Sequence, residues 1–437
     1  MDPDQPKRYG RAGTGQRKLR ILLSAYACEP NRGSEPAVGW EWASGLAQHH
    51  DVWVLTRANN RDVIEREVGT EQRGRVPEFI YVDLPPWIVQ LKRAGLLSVP
   101  FYYVLWQWAA TRHAKRAGLD VDLVHHVTFN EFRFPGMWWN VHWKVVLGPL
   151  GGASKPIREY RRCFGRRWWR EWMRLQLLKC WRLNPWTCLS FRRADALIFV
   201  TDEMARQFGK KAERTSVLLD AGVPDALLKR NDEAADRKGF LWVGTIEGRK
   251  GWRLALEAFA QAFGSERNGP LLTVIGEGPD QAAAQQLARE LGIADRVAFC
   301  GRRQRSEVWD EMRRTKGLLF SSVRDTSGNV VLEAMGLQCP VLCLDHQGAA
   351  VMTSEECALR VEPGPWEETV HAFAAALQRL ENEPLLVHRL GLAGRTRVLR
   401  YFTWDRKLEV INEIYASVMM KSGHRAPLAN EQTQKDS

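Results

Sequence analysis

No Cys-x-x-Cys pair occurs in this 437-residue sequence, and its eight cysteines (28, 163, 180, 188, 300, 339, 343, 357) are scattered. That spacing excludes a disulfide frame or a zinc ribbon. With no signal peptide recognisable, it predicts reduced thiols and a cytoplasmic protein. Internal repeats and low-complexity arrays are missing too, which excludes solenoids and propellers. A clean membrane-spanning run is also lacking. The nearest stretch, Ala94 to Thr111, has no charge over 18 residues but contains Gly95, Ser98, Pro100 and Gln107. Those interruptions predict a helix that is buried or faces a membrane, not one that crosses it.

What is present is globular: 45% apolar and 26% charged residues, in a chain too long for one ordinary core. Residues 1–18 and 421–437 are polar and read as disordered tails. From Arg20 onward short apolar runs alternate with helical patterns. Strands are predicted at Arg20–Ala27, Asp51–Thr56, Glu78–Leu84, Val121–Val127, Lys144–Leu147, Ala194–Thr201 and Thr215–Leu219. A charged stretch, 225–238, reads as a linker. A second series then starts with strands at 240–244, 271–276, 296–301, 317–322 and 340–345. The fold class expected is α/β, with two Rossmann-like, doubly wound domains at 19–224 and 239–403 facing across a cleft. A last helix, 404–420, is expected to pack back on the first domain.

The most informative segment is Ser321–Gly348, SSVRDTSGNVVLEAMGLQCPVLCLDHQG. A strand ends at Ser322, a turn follows at Gly328, and a helix starts near Asn329 and Val330. Free amides and positive dipole at such a start suit a diphosphate. Glu333, eight positions after Asp325, can accept hydrogen bonds from a ribose diol, and Asp325 can face a sugar. Capping by Asp325 and dipole complementation by Glu333 would explain the same spacing.

Taken together, Asp325, Glu333-Ala-Met335 and Pro340-Val341 resemble the donor signature of retaining glycosyltransferases of family 4, with Asp325 where glutamate is usual. VGTIEGRKG (243–251) is similar to the family's phosphate loop: Gly244 and Lys250 fit its spacing, Thr245 replaces an arginine, and Arg249 is the candidate for the missing charge. VIGEGPD, with Gly276, resembles the glycine turn after a strand. ACEPNRGSEPAVGW places Gly33 in a loop that approaches donor and acceptor, with Gly39 opening the helix. In LVHHVTFNEFRFPG, the resemblance assigns His125, in preference to His126, to the donor sugar. GPLGG (148–152) and FTWD (402–405) are further likenesses.

The resemblance implies a GT-B fold, retention at the anomeric carbon, an oxocarbenium-like transition state and no essential metal. No cofactor is implied beyond a nucleotide-diphosphate sugar as co-substrate. Lys250 and residues 328–330 would hold the diphosphate, Glu333 the ribose, and Asp325 and His125 the transferred sugar. The acceptor would be a glycan or a lipid-linked sugar in polysaccharide or glycoconjugate biosynthesis.

The formal net charge of +12 is concentrated. Between Lys155 and Arg193 stand twelve Lys and Arg against Glu159 and Glu171. Within this stretch a basic amphipathic helix carries Trp168, Trp169, Trp172, Arg170 and Arg174, and reads as a membrane-interface element on the inner face of a membrane. A solvated helix packed on the first domain would show the same pattern. Two further readings stay open: a nucleotide-sugar 2-epimerase sharing the fold, and a membrane- or nucleic-acid-binding module acting through 155–193.

Overall fold

The computed structural model describes residues 17–421, except 31–34, 71–74, 130, 156–157, 182, 209–211, 231–235, 265 and 267. Both expected tails therefore lie essentially outside the described residues, as does Gly33.

Two parallel sheets organise the chain. The first contains β1 (Arg20–Ser24), β2 (Asp51–Thr56), β3 (Glu78–Tyr81), β4 (Leu123–His126), β5 (Lys144–Leu150), β6 (Ala196–Phe199) and β7 (Thr215–Val217), in the order β3-β2-β1-β4-β5-β6-β7. The second contains β8 (Phe240–Val243), β9 (Leu272–Ile275), β10 (Val297–Phe299), β11 (Gly317–Phe320), β12 (Val341–Leu344) and β13 (Ala358–Val361), in the order β10-β9-β8-β11-β12-β13. Helices cover both faces, so central strands are buried throughout; β4, β6, β11 and β12 have no exposed residue. The order reverses between β1 and β4, and again between β8 and β11, which opens a crevice at the strand carboxyl ends there.

Three boundaries differ from the sequence reading. The supposed linker begins with a helix, Asp225–Leu228, whose Leu227 is fully buried among second-domain residues. A single apolar anchor is enough to fix a segment that otherwise looks solvated. The helix after β1 starts at Glu35, ahead of Gly39, because Pro36 is compatible with a first turn. The third difference is larger. Tyr160 and Cys163, from the connection between β5 and β6, sit in the core of the second domain with Trp252, Phe259 and Trp366. The chain thus leaves the first domain after β5, docks across the cleft, and returns along the helix Trp168–Trp181.

This crossing is held by specific bonds. The Tyr160 hydroxyl lies 3.1 Å from the Thr369 hydroxyl and accepts from the Gly364 amide at 3.2 Å. Arg162 pairs with Glu367 at 2.7 Å and Arg167 with Asp280 at 2.8 Å. Gly248 lies so close beneath the Cys163 carbonyl that a β-carbon there would collide with it.

The final helix, Trp404–Met420, packs on the first domain through Trp404, Leu408, Ile411 and Tyr415. Thr403 caps it by accepting from the Arg406 amide at 3.3 Å. Where the chain crosses between domains, Val223 donates to the Phe402 carbonyl at 2.9 Å. The buried Lys407 ammonium donates beside it to the Leu219 and Ala221 carbonyls.

Candidate active site

The carboxyl ends of β8 and β11 bring the second domain's candidate residues together. After β8 the chain turns through Gly244, whose amide donates to Ile275 at 3.0 Å. Gly276 has φ +137° and presses on the Gly244 carbonyl, so only glycine fits that crossing. The turn continues through Gly248–Lys250. Ser321 locks it: its hydroxyl donates to the Lys250 carbonyl at 3.2 Å and accepts from the Trp242 indole at 3.1 Å. Lys250 is thereby aimed at Asp325, with which it forms a largely buried ion pair.

Asp325 precedes the helix Asn329–Gly336, which starts directly after Gly328 and carries Glu333 near its middle. Gly328, Asn329 and Val330 therefore lie beside the Lys250–Asp325 pair in the chain's path. Glu333 is nearly buried. Arg305 donates to its Oε1 from both Nε (3.0 Å) and Nη2 (2.6 Å). Glu41, on the first domain's helix Glu35–Ala47, lies within the electrostatic reach of Arg305, and burial pushes its carboxyl up to about 7. Arg305 and Glu41 have no family signature to flag them, and only the tertiary fold brings them to Glu333.

Arg249 does not stand free as the expected substitute cation. Its guanidinium pairs with Glu247 at 2.6 Å. Its backbone carbonyl instead accepts the amides of Val323 (3.0 Å) and Arg324 (3.2 Å), stitching the turn after β8 to the Asp325 segment.

His125 does not face the cleft. It is fully buried, its Nδ1 lying 2.7 Å from the Tyr415 hydroxyl and its Nε2 2.8 Å from the Gly148 carbonyl. Burial holds its pKa down at about 3. His126 is buried likewise, between Tyr103 (2.8 Å) and Ser24 (3.0 Å). Two histidines at a strand end satisfy the core here, because Tyr415 and the Gly148 carbonyl partner one ring and Tyr103 and Ser24 the other.

The basic helix Trp168–Trp181 divides its residues between two environments. Trp169 and Trp172 are each 54% exposed and Arg170 lies over the Trp169 ring, while Trp168 packs on Phe164. Arg174 points inward, against expectation. It donates to the buried Glu171 at 2.6 Å and to the Ser154 carbonyl at 2.7 Å. Glu171 also pairs with Arg324 at 3.2 Å. The lone carboxylate of a basic helix thus neutralises two arginines beside the Asp325 segment, and burial lowers the Arg324 pKa to about 10.

Among the described residues no group of three or more His, Cys, Asp or Glu is arranged to hold a metal ion. Asp120 and Asp122 are spaced two apart, but they precede β4, at the strand end away from the cleft, and both bind Arg20.

Residues 225–397 match the family model of glycosyl transferases group 1. The chain is 29% identical, over 233 residues, to the lipopolysaccharide core biosynthesis glycosyltransferase LpsD of Rhizobium meliloti (strain 1021), covering 51% of this chain and 65% of that one. It is also 29% identical to the 2-deoxystreptamine glucosyltransferase of Streptomyces kanamyceticus, over 47% of this chain and 56% of that one. Each match spans less than two thirds of the relative. Among solved structures, sucrose-phosphate synthase from Thermosynechococcus elongatus superposes with a TM-score of 0.62 at 19% identity, covering 93% of this chain and all of that one. WaaG, a glycosyltransferase involved in lipopolysaccharide biosynthesis, gives 0.56 at 19% identity, over 92% and 100%. Anabaena Alr3699/HepE in complex with UDP and glucose gives 0.58 at 15% identity, again over 92% and 100%. The fold is the GT-B arrangement of two facing Rossmann-like domains.

Proposed function

We propose that this protein is a retaining glycosyltransferase of the family 4 type. It moves a sugar from a nucleotide-diphosphate donor to a glycan or lipid-linked acceptor in polysaccharide or glycoconjugate biosynthesis. The observation that carries the reading is the Lys250–Asp325 pair at the foot of the helix bearing Glu333. The group 1 match over 225–397 encloses all three residues. The relatives that the chain matches are named transferases, which favours transfer over epimerisation.

In this reading the donor diphosphate lies between the Lys250 ammonium and the start of the helix Asn329–Gly336. As the bond from the anomeric carbon to the diphosphate breaks, charge grows on the leaving oxygen. The Lys250 ammonium, exchanged from Asp325 to the diphosphate when the donor binds, and the helix start meet that charge, so the reading calls for no resident metal. The acceptor hydroxyl forms the new bond on the same face and gives up its proton to the departing diphosphate oxygen. Glu333 holds the ribose diol through Oε2, since Arg305 engages only Oε1. Asp325 orients the transferred sugar once the diphosphate takes Lys250.

The same reading places the protein at a membrane surface as a peripheral partner. Trp87, Leu96, Phe101 and Trp108 are more than half exposed on the helices Pro86–Arg93 and Val99–Arg116 and the turn between them. Trp169, Trp172 and Leu177 add to them. Trp181 packs on the same cluster as the inner residues of those helices, so the elements are neighbours. Among the described residues no helix is long and apolar enough to cross a membrane. Indoles beside lysines and arginines suit an anionic headgroup layer, and flotation with phosphatidylglycerol vesicles measures this directly.

The donor reading is tested by thermal stabilisation with UDP-, GDP-, ADP- and dTDP-sugars, using Glu333→Ala as the matched control. A ligand at 100 times its dissociation constant adds about 2.7 kcal/mol to a native state that alone binds it. A shift with one nucleotide, lost in the control, supports the site. No shift with any of them, from folded protein, sinks it.

A further inference from the structure

We infer that the first domain carries a phosphate-binding subsite on Tyr26, Arg57 and Lys92, distinct from the donor diphosphate site, and that it takes a phosphate group of the acceptor. Only the link to an acceptor rests on the transferase reading; the subsite itself stands on its geometry.

Three successive strand ends build it. Tyr26 follows β1, Arg57 follows β2, and Asp83 follows β3, which puts them beside the crevice where open α/β sheets receive ligands. Lys92 comes down from the helix Pro86–Arg93, immediately after. The Arg57 guanidinium lies 4.3 Å from the centre of the Tyr26 ring, and its Nε donates to the Tyr26 carbonyl at 3.1 Å. Arg57 thus spans the Tyr26 residue from its carbonyl to its phenol, and both contacts are to neutral oxygens that leave its charge in place. The Lys92 ammonium lies 3.5 Å from the Tyr26 hydroxyl and 4.2 Å from the centre of the Tyr102 ring. Two cations therefore rest on one tyrosine.

Their charges are not cancelled in place. Among the described residues neither Arg57 nor Lys92 has a carboxylate within ion-pair distance. Two carboxylates share the neighbourhood. Asp83 accepts the Tyr102 hydroxyl at 2.7 Å and the Leu84 amide at 3.0 Å, and Glu35 has bonds of its own. Burial lowers the pKa of Lys92 and the nearby charge of Arg57 lowers it further, against a smaller opposing effect of Asp83. Two half-buried like charges that repel each other become favourable when an anion joins them. A planar fork beside a point ammonium, on an aromatic floor, matches phosphate better than a neutral sugar. The donor loop does not compete for this role, since its Lys250 belongs to the other domain and is neutralised by Asp325.

The test is calorimetric titration of inorganic pyrophosphate into full-length Lys250→Ala protein, which removes the donor-side cation. One equivalent is expected to bind, and adding Arg57→Gln and Lys92→Gln weakens it at least tenfold. Asp83→Asn in the same background tightens binding, a gain that a misfolded variant cannot produce. No binding by Lys250→Ala, or binding indifferent to Arg57 and Lys92, overturns the subsite. Co-sedimentation with phosphatidic acid vesicles against phosphatidylcholine alone separates the two sources of such a phosphate. Dependence on Arg57 and Lys92 assigns a lipid headgroup, and independence assigns a soluble phosphate ester. Failure of every nucleotide sugar to stabilise the wild type would remove the transferase reading and leave the pyrophosphate result intact.

Discussion

The Gln347 side chain ties the position of Asp325 to the closed cleft. Its oxygen accepts the Asp325 amide at 2.8 Å, and its nitrogen donates across the cleft to the Lys155 carbonyl at 2.9 Å. Gln347 also sits at φ +52°, which a non-glycine residue adopts only when its surroundings hold it there. One side chain therefore transmits the seating of the first domain to the carboxylate assigned to the sugar.

Gln347→Ala removes both bonds and keeps the strained backbone, whereas Gln347→Gly removes the bonds and relieves the strain. If positioning is the role, both lower kcat by about tenfold, equivalent to about 1.4 kcal/mol of transition-state stabilisation. Donor-induced thermal stabilisation should stay near wild type in both. Full activity in the glycine variant would show that the bridge is incidental.

Lys250→Ala is expected to lower kcat by roughly a hundred- to a thousandfold, the usual cost of removing one group that meets developing charge. Steady-state kinetics with the donor found in the nucleotide panel measures it. Retained turnover would mean that the diphosphate lies elsewhere. Lys250→Arg should recover part of the rate by restoring charge, although the planar fork cannot reproduce a point ammonium beside Asp325.

The strands were readable in advance because buried parallel strands are short apolar runs, and RILLS, DVWVLT and VLCL declare themselves. The missed strand, Ala358–Val361, carries Arg360 at its third position, and that arginine pairs with Asp345. An edge strand has water on one side, so its pattern is weaker. Asp325 and Glu333 were legible because one helix start carries both, and Lys250, 75 positions from Asp325, was legible only through the resemblance of its own loop to a family motif that Arg305 and Gln347 lack. Arg305, Gln347 and Glu171 were not, since each acts on a partner 22 to 153 positions away. His125 misled because the sequence shows a polar residue at a strand end but not the Tyr415 hydroxyl that satisfies it from 290 positions away.

Glu171→Gln should destabilise the protein. The carboxylate lies 2.6 Å from Arg174 and 3.2 Å from Arg324, so its removal leaves two partly buried arginines facing each other. Breaking a buried pair costs about 3–5 kcal/mol; the residual exposure of both arginines brings the expectation down to about 2 kcal/mol. Urea denaturation measures it. The double variant Glu171→Gln with Arg174→Gln should regain part of the loss, because the repulsion then disappears. Equal loss in single and double variants would show that the carboxylate acts through packing alone.

Acid should unfold the protein through its two buried histidines. Burial holds His125 at about 3 and His126 at about 4, whereas an unfolded histidine titrates near about 6.5. Below pH ~6.5 the unfolded chain takes up protons that the native state refuses. Stability is therefore full above that pH and falls as pH drops toward the folded values, by up to about 1.4 kcal/mol per unit for each ring. Glu41 works in the opposite direction. Its folded pKa is raised to about 7, so its contribution is present below about 4.5 and is lost as pH rises toward 7. Urea midpoints between pH 8 and pH 5 should fall with acid in the wild type, fall less in His126→Gln, and fall more steeply in Glu41→Gln. A slope unchanged by His126→Gln would mean that the acid sensitivity arises from other groups.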